Sequence, residues 1–311
     1  MTSSVVFAYH NVGVRCLSVL LAHGIDVRLV DTHQDNPNEN IWFASVAELA
    51  KRHGIPVITP EDPNQPEVVA QVAALAPDFL FSFYYRLMLK RDMLLAASRG
   101  AYNMHGSLLP KYRGRVPVNW AIIHGETETG ATLHAMTEKP DNGAIVMQKA
   151  VTIGIDDTAR EVFDRVTDAA AHALDAALPA LVAGSAPHFS QNLRQGAYFG
   201  GRKPEDGRID FSWGALRIHN FVRALTRPNP GAFVDLQGQR IVLWRTRLAT
   251  GAPLANGGLR GGASLLAADG ALTLHCADGH ALQVLEMEAN GQALSAADFS
   301  AMFGGPLVDL A

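Results

Sequence analysis

The chain has 311 residues, of which 48% are hydrophobic and 18% charged, and its formal net charge is −4. These values are typical of a globular protein with one large domain or two ordinary ones, and the negative charge argues against nucleic-acid binding through broad electrostatics. Cys16 and Cys276 form neither a CxxC pair nor a disulfide framework, which favours a reducing compartment. Because the sequence has no basic leader and no apolar run near the ~18 residues of a membrane span, we expect a cytoplasmic protein without a transmembrane segment.

The first 150 residues alternate short apolar runs with helical periodicity, which predicts βαβ units and a parallel sheet covered by helices. Strands and helices are expected in chain order at SSVVFAY, VRCLSVLLAHG, IDVRLVDT, WFASVAELAKRHG, IPVITP, PEVVAQVAALAP, DFLFSFYY, LMLKRDMLLAAS and GAYNMHG. The turn after the first strand, AYHNVGVRC, has one glycine where a dinucleotide fingerprint needs three. We therefore expect no NAD in this chain.

Beyond residue 115 further elements complete the first domain, and the pattern changes after residue 190. VPVNWAIIHGE predicts a helix, GATLHAMTEKPDNGAIVMQKAVTI two strands joined by a KPDNG turn, and DDTAREVFDRVTDAAAHALDAALPALVAG an amphipathic helix. NLRQGAYFGGRKPEDGRIDFSW has the composition of a linker, and ALRIHNFVRALTR predicts a helix. The glycine-separated runs FVDLQ, RIVLWRTRLA, SLLAADG, ALTLHCADG and ALQVLEME predict a small β-barrel. We place a catalytic domain at 1–190, a linker at 191–205 and a C-terminal domain at 206–311.

Asn103 and His105 are two residues apart at the expected end of a strand, so their side chains leave on one face. The carboxyl edge of a parallel sheet is where such folds bind ligands. Asp141, in the KPDNG turn, is expected at the start of the neighbouring strand. Taken alone, a strand histidine or a turn aspartate is more often structural. Together they predict a carboxylate that orients an imidazole, an imidazole that moves a proton, and an amide that binds an oxyanion.

No nucleophile accompanies these three residues, because Ser107 has no base placed by sequence and both cysteines are distant. This predicts an acyl transfer in which the substrate supplies its own nucleophile. The basic run LPKYRGR is either a solvated loop or an anion site, and the sequence leaves this open. His275, Cys276 and His280 in HCADGH read as a hairpin turned by Asp-Gly, so no metal is expected.

Three segments resemble the formyltetrahydrofolate-dependent formyltransferases: NMHGSLLPKYRGRVPVNWAI, GETETGATLHAMTEKPDNGAIV and RALTRPNPGAF. The resemblance implies an α/β Rossmann-like catalytic domain followed by a small OB-like β-barrel domain, with 10-formyltetrahydrofolate as co-substrate. It also implies that Asn103, His105 and Asp141 are the catalytic trio. The segments that match the folate site of the family contain Leu87, Met88, Leu89, Arg115, Thr137, Glu138, Lys139, Pro140 and Asp141.

Within this family the chain is most similar to the branch that formylates UDP-4-amino-4-deoxy-L-arabinose in lipid A modification, through FAYHNVG, DTHQDNPNE, FSFYYR and YFGGRKPEDG. Arg202, Lys203 and Arg208 are candidates for contact with a diphosphate, although a surface loop is an equal reading. Many relatives are fused to an NAD-dependent decarboxylating dehydrogenase. We expect either that this chain is part of such an enzyme or that the dehydrogenase is a separate protein, and the oligomeric state is left open.

The nearest alternative is methionyl-tRNA formyltransferase, whose family carries a basic loop after the second strand. The corresponding stretch here, DTHQDNPNENIWFASVAELA, contains Asp31, Asp35, Glu39 and Glu48 and no Lys or Arg. This predicts a small-molecule substrate, a nucleotide amino sugar, and no nucleic acid. Glycinamide ribonucleotide transformylase would not need the last hundred residues, and formyltetrahydrofolate deformylase would carry an added N-terminal domain. A folate-binding scaffold without activity is the alternative from another class.

Overall fold

The structure is a computed structural model that describes residues 1–249 and 262–310. Residues 250–261 and 311 belong to the expected C-terminal domain and lie outside the described residues. The chain divides into two compact units, the first built from Met1–Pro117, Glu128–Thr152 and Phe163–Gly200, the second from Val118–Thr127, Ile153–Val162 and Gly201–Ala311. Each unit therefore draws on separate parts of the sequence, and the domain limits given above stay a prediction.

The elements of the first half are, in chain order, β1 Ser3–Ala8, α1 His10–Ala22, β2 Asp26–Asp31, α2 Val46–Arg52, β3 Val57–Ile58, α3 Pro66–Ala74, β4 Phe79–Phe83, α4 Arg91–Leu94, β5 Ala101–His105, β6 Arg113–Gly114, α5 Pro117–Ile123, β7 Glu128–Ala135 and β8 Ile145–Thr152. Those of the second half are α6 Ala159–Ala183, β9 Tyr198–Phe199, α7 Ala215–Leu225, β10 Ala232–Leu236, β11 Gln239–Leu248, β12 Ala263–Ala268, β13 Ala271–His275, β14 Ala281–Ala289, β15 Gln292–Ala293, α8 Ala296–Phe303 and β16 Leu307–Leu310.

The first unit contains a sheet in the order β3-β2-β1-β4-β5-β7-β8. Its first five strands are parallel, whereas β7 and β8 run antiparallel to their neighbours. The strands β1 and β4, SSVVFA and FLFSF, are buried throughout, as expected for strands covered on both faces. The predicted Rossmann-like fold is confirmed, and the carboxyl ends of β1, β4 and β5 meet at one edge of the sheet.

Two predicted helices of this unit are much shorter in the structure. In WFASVAELAKRHG, helix α2 begins only at Val46, because the Ser45 side chain accepts a hydrogen bond from the Glu48 N–H and caps it there. LMLKRDMLLAAS contains the single turn Arg91–Leu94, and residues 87–90 before it form neither helix nor strand. The prediction of a longer helix at this place is wrong, since apolar spacing alone does not report the side-chain contacts that hold the backbone of Met88 and Lys90.

The second unit is built on a largely antiparallel sheet in the order β10-β11-β14-β13-β12-β16, with β15 paired to β14. Phe221 and Val222 of α7 are buried in one core with Leu243, Leu265 and Leu274 of the sheet. The predicted β-barrel-like domain is thereby confirmed. HCADGH is the predicted hairpin, because it connects the antiparallel strands β13 and β14. Helix α8 and strand β16 were not predicted.

Helix α6 is, among the described residues, the one helix long and apolar enough by length and composition to cross a membrane. The buried helix of a globular core meets the same criteria, and more than half of its most apolar window is buried. Its charged side chains lie on the opposite face, where Asp168 pairs with Arg15 and Asp175 contacts His23. This division into two faces is that of a core helix.

Asp31, at the carboxyl end of β2, is a buried acid in the first unit. The Tyr85 hydroxyl donates to Asp31 Oδ1 over 3.0 Å, while Oδ2 is buried without a hydrogen-bond partner. Burial raises the pKa of Asp31 to about 7, although the bond from Tyr85 opposes the increase. The side chain is therefore partly protonated at neutral pH.

We predict that Asp31→Asn stabilises the protein in a pH-dependent way. The folded-state pKa lies above the value of about 3.9 in an unfolded chain, so ionisation favours the unfolded state and the free energy of unfolding of the wild type falls between pH 4 and pH 7. Asn cannot ionise and keeps an acceptor for Tyr85. Its advantage should be small at pH 4 and roughly 4 kcal/mol at pH 7, since the pKa shift is about three units at ~1.4 kcal/mol each.

Urea unfolding at several pH values measures this difference. Asp168→Asn is the matched control, because Asp168 is an exposed acid in a surface ion pair and its substitution should give a small, nearly constant change. A difference between Asp31→Asn and wild type that does not grow from pH 4 to pH 7 would contradict the prediction.

Candidate active site

Asn103 and His105 lie on β5, at the carboxyl edge of the sheet. Asn103 is in register with Ser82 of β4 on one side and with His134 of β7 on the other. His105 is the last residue of the strand and is only 6% exposed. Alternation along the strand places both side chains on one face, as the sequence predicts.

Asp141 lies in the turn between β7 and β8. The prediction that it begins the strand beside β5 is wrong, because the neighbour of β5 is β7, and Asp141 follows β7 and precedes β8. Gly143 has to be glycine, since a Cβ there would lie 1.7 Å from the Ala135 carbonyl oxygen. The Gln191 side-chain N–H group donates to the carbonyls of Asp141 and Gly143, which holds the turn in place.

Asp141 and His105 form a buried pair. The distance from His105 Nδ1 to Asp141 Oδ1 is 3.4 Å, and the Gly114 N–H donates to Asp141 Oδ2 over 2.7 Å. The other ring nitrogen, His105 Nε2, lies 2.8 Å from the Tyr112 carbonyl oxygen. Both nitrogens of the imidazole thus face acceptors, so a doubly protonated ring satisfies both contacts.

Asn103 joins this pair through a residue that was not predicted. Asn103 Nδ2 lies 3.1 Å from His134 Nε2, and His134 Nε2 is in turn 3.5 Å from Asp141 Oδ1. His134 appeared in the sequence only as one of several scattered histidines. The signal that would have found it is strand register, because His134 is directly opposite Asn103 in the β5–β7 pair.

The electrostatics of the pair follow from burial and its partners. Burial alone raises the pKa of Asp141, but His105, His134 and the Gly114 N–H together lower it to about 2. Burial lowers the pKa of His105, while the Asp141 carboxylate and the Tyr112 carbonyl act in the opposite direction. The carboxylate is thus firmly ionised, and burial outweighs its attraction so that the pKa of His105 lies below the usual value of a histidine.

The basic run LPKYRGR contains a short strand that supports the pair. Strand β6 pairs in parallel with β9, and Tyr112 stacks on Phe199 with ring centroids 5.2 Å apart. The Arg113 guanidinium donates to the Asn142 side chain and to the carbonyls of Leu193 and Gly196. Arg113 is therefore a structural residue that joins the Asp141 turn to the segment before β9.

The expected folate segment Leu87–Leu89 forms neither helix nor strand and is partly open to solvent. Leu87 and Met88 are 39% and 50% exposed, whereas Leu89 is buried. Asn64, which was not predicted, holds the segment at two points: its Nδ2 group donates to the Met88 carbonyl and its Oδ1 accepts from the Lys90 N–H.

The second expected folate segment, Thr137–Asp141, approaches the first. Glu138 lies 3.9 Å from Arg91 in an exposed ion pair just after the Leu87–Leu89 segment. The Thr137 hydroxyl donates to the Lys139 carbonyl. The Arg115 side chain is exposed, and its backbone N–H donates to Phe199. The folate roles of all these residues stay predictions.

The three candidates for diphosphate contact lie in the second unit. Arg202 is half-buried over the rings of Trp120 and Phe221, and Arg208 pairs with Asp235. Lys203 is exposed. Two of the three cations are thus engaged in contacts within their own unit. Within residues 1–249 and 262–310, no group of three His, Cys, Asp or Glu residues is arranged to hold a metal ion.

Comparison with known proteins identifies the class. The family model "Formyl transferase" matches residues 20–178, and the model "Formyl transferase, C-terminal domain" matches residues 202–304. Since the first model alone spans half of the chain, the chain belongs to the formyl transferase family. The protein is accordingly a formyltransferase with the two-domain fold of that family.

Solved structures share the fold at low sequence identity. An N-formyltransferase from Helicobacter canadensis, in complex with folinic acid and dTDP-3-aminofucose, is similar at 20% identity and a TM-score of 0.69 over 91% of this chain and 99% of that one. A sugar N-formyltransferase from a Shewanella species matches at 21% identity and 0.62, over 78% and 96%. HypX from Aquifex aeolicus, in complex with tetrahydrofolic acid, matches at 17% and 0.62, over 96% of this chain and 47% of that chain.

We predict that Asp141→Asn lowers kcat for formyl transfer by about 100-fold or more. An amide cannot pair with a charged His105, and the pKa of His105 falls further when the carboxylate is removed. Steady-state kinetics with circular dichroism to confirm folding measures the effect, and Asp168→Asn serves as the exposed control. Near-normal turnover would exclude Asp141 from the chemistry.

Proposed function

We propose that the protein transfers the formyl group of 10-formyltetrahydrofolate to the 4-amine of UDP-4-amino-4-deoxy-L-arabinose. The observation that carries this proposal is the group Asn103, His105 and Asp141 at a sheet edge, beside which the Ser107 hydroxyl is not free to attack. Ser107 is fully buried and its hydroxyl donates to the Lys111 carbonyl. The attacking group therefore comes from the substrate.

The proposed reaction forms one C–N bond and breaks another. The sugar amine attacks the formyl carbon, and the negative charge on the resulting tetrahedral oxygen is stabilised by an N–H group of Asn103 and by the positive charge of protonated His105, whose own nitrogens face Asp141 and the Tyr112 carbonyl. One such donor is typically worth ~3 kcal/mol. His105, oriented by Asp141, moves the proton that the amine loses to the folate N10 that leaves. The intermediate then collapses to the formamide and tetrahydrofolate.

The acidic loop after β2 supports a small substrate over tRNA. Between Asp31 and Leu49 it carries no Lys or Arg, and two of its acids fold back onto the first unit: Asp35 accepts from the Tyr9 hydroxyl and Glu39 pairs with Arg86 through both oxygens. A surface that binds phosphates needs the opposite charge. Solved structures of the same fold include the Helicobacter canadensis enzyme, whose ligand is a nucleotide amino sugar.

The choice of UDP-4-amino-4-deoxy-L-arabinose as substrate is supported by the sequence resemblance. The same resemblance supports a cytoplasmic location and a role in lipid A modification, which confers resistance to polymyxin. A separate dehydrogenase that decarboxylates the precursor sugar is the enzyme expected to act before it. The buried thiols of Cys16 and Cys276 are compatible with a reducing compartment. The alternative substrates are another nucleotide-linked amino sugar and methionyl-tRNA.

A substrate screen tests the proposal. The protein is incubated with 10-formyltetrahydrofolate and, in separate reactions, UDP-linked amino sugars, dTDP-linked amino sugars and methionyl-tRNA, and products are identified by mass spectrometry with Asp141→Asn as the inactive control. We expect formylated UDP-4-amino-4-deoxy-L-arabinose at the highest kcat/KM. Formylation of a dTDP sugar alone would overturn the assigned sugar, and formyl-methionyl-tRNA would overturn the substrate class.

We also predict that Asn64→Ala raises KM for 10-formyltetrahydrofolate by about tenfold. It removes a hydrogen bond to the Met88 carbonyl and one from the Lys90 N–H, which follows the Leu87–Leu89 segment; each is worth about 1 kcal/mol, and part of that loss appears in folate binding. KM for the amino sugar and kcat should change less than about twofold, because Asn64 has no contact with the catalytic trio. Asn290→Ala, at an exposed asparagine of the second unit, is the control. An equal rise in both KM values would contradict the prediction.

A further inference from the structure

His134 is a buried side chain inside the candidate active site that the mechanism above does not use. It is 2% exposed and lies on β7 directly opposite Asn103. Its Nδ1 is 2.9 Å from the Ala135 carbonyl oxygen, and its Nε2 is 3.1 Å from Asn103 Nδ2 and 3.5 Å from Asp141 Oδ1. Both ring nitrogens therefore have defined neighbours.

The tautomer of His134 follows from these contacts. A carbonyl oxygen only accepts, so Nδ1 carries the hydrogen that it donates to Ala135. Asp141 Oδ1, at 3.5 Å from Nε2, is farther than a normal hydrogen-bond acceptor, whereas Asn103 Nδ2 is at 3.1 Å. In the neutral ring Nε2 therefore keeps its lone pair and accepts a hydrogen bond from the Asn103 side chain, and a ring that is also protonated at Nε2 and donates to Asp141 would contradict this arrangement. This requires that Asn103 turns its NH₂ group, and not its oxygen, toward His134.

The consequence concerns the second hydrogen of Asn103. An amide NH₂ group has two N–H donors, and His134 takes one of them. With the amide plane fixed by that bond, the other N–H keeps one direction at the half-buried edge of the strand. A flipped amide would present its oxygen to His134 Nε2, which in this tautomer is an acceptor as well, and so the flipped state is disfavoured.

We propose that His134 is a positioning residue for formyl transfer, which fixes the Asn103 amide so that its second N–H faces the developing oxyanion. The inference rests on the proposed role of Asn103. His134 does not touch the reacting atoms itself. It acts by restricting the rotation of the Asn103 side-chain amide.

A double-mutant cycle separates this role from a merely structural one. His134→Leu removes the acceptor and keeps an apolar side chain, and His134→Gln restores an acceptor of similar reach. We expect His134→Leu to lower kcat by roughly 10- to 100-fold with little change in either KM, and His134→Gln to recover most of the loss. In an Asn103→Ala background, His134→Leu should cost less than about twofold, because the donor that it positions is gone.

The opposite outcomes are equally defined. If His134→Leu lowers kcat by the same factor in the wild type and in Asn103→Ala, the inference is overturned. It is also overturned if the loss of kcat disappears only in an Asp141→Asn background. Formyl transfer by the wild type and by Asn103→Ala is measured first. If the wild type transfers no formyl group, the proposed function is refuted, and the positioning role of His134 is then tested by the NMR experiment below.

That test needs no activity. ¹⁵N NMR of the ligand-free protein reports the tautomer of each histidine, and we expect His134 to be protonated at Nδ1, with an Nε2 shift that changes in Asn103→Ala. A ring protonated at Nε2 alone would overturn the inference. The same spectra cover the case in which His134→Leu does not fold, since they use only the wild type and Asn103→Ala.

Discussion

The buried carboxylate of Asp141 is the group on which the site depends. Its side chain is about 10% exposed, and an ionised group at such a position is stable only with close partners. Three elements supply them: the end of β5 through His105, the end of β7 through His134, and β6 through the Gly114 N–H. The need to solvate one negative charge thus determines where the functional side chains of three separate segments lie.

The backbone around that charge is held in uncommon conformations. Tyr112, Val116 and Asp141 have left-handed φ angles of 55°, 47° and 54°, which non-glycine residues seldom adopt. Such conformations persist where surrounding contacts over-determine them, and they concentrate at functional sites. Here the β6–β9 pairing provides those contacts, and a Cβ at Gly114 would lie 2.2 Å from the Phe199 carbonyl oxygen. The segment read as a linker therefore builds one wall of the site.

The sequence predicts the parts of this protein that depend on local periodicity. The buried strands, the KPDNG turn and the placement of Asn103 and His105 on one face follow from alternation and turn chemistry. His134, Asn64 and β9 could not be found in this way, because their roles come from contacts between residues distant in sequence: His134 faces Asn103 only once β7 is known to pair with β5. Arg113 shows the same limit, since a cation in a loop gives no sign that its partners are carbonyls 80 and 83 residues away.

The hydroxyl groups near His105 explain why the proposed chemistry needs a nucleophile from the substrate. The Ser107 hydroxyl donates to the Lys111 carbonyl, and the Thr132 hydroxyl donates to the Ser107 carbonyl while it accepts from the Leu109 N–H and from Gln148. Both side chains are fully buried and committed to the loop that carries Tyr112. A hydroxyl that attacked a formyl group would release these bonds and the loop with them. The same bonds that keep the imidazole in place therefore argue against an acyl-enzyme route and agree with the proposed role of His105 toward an incoming amine.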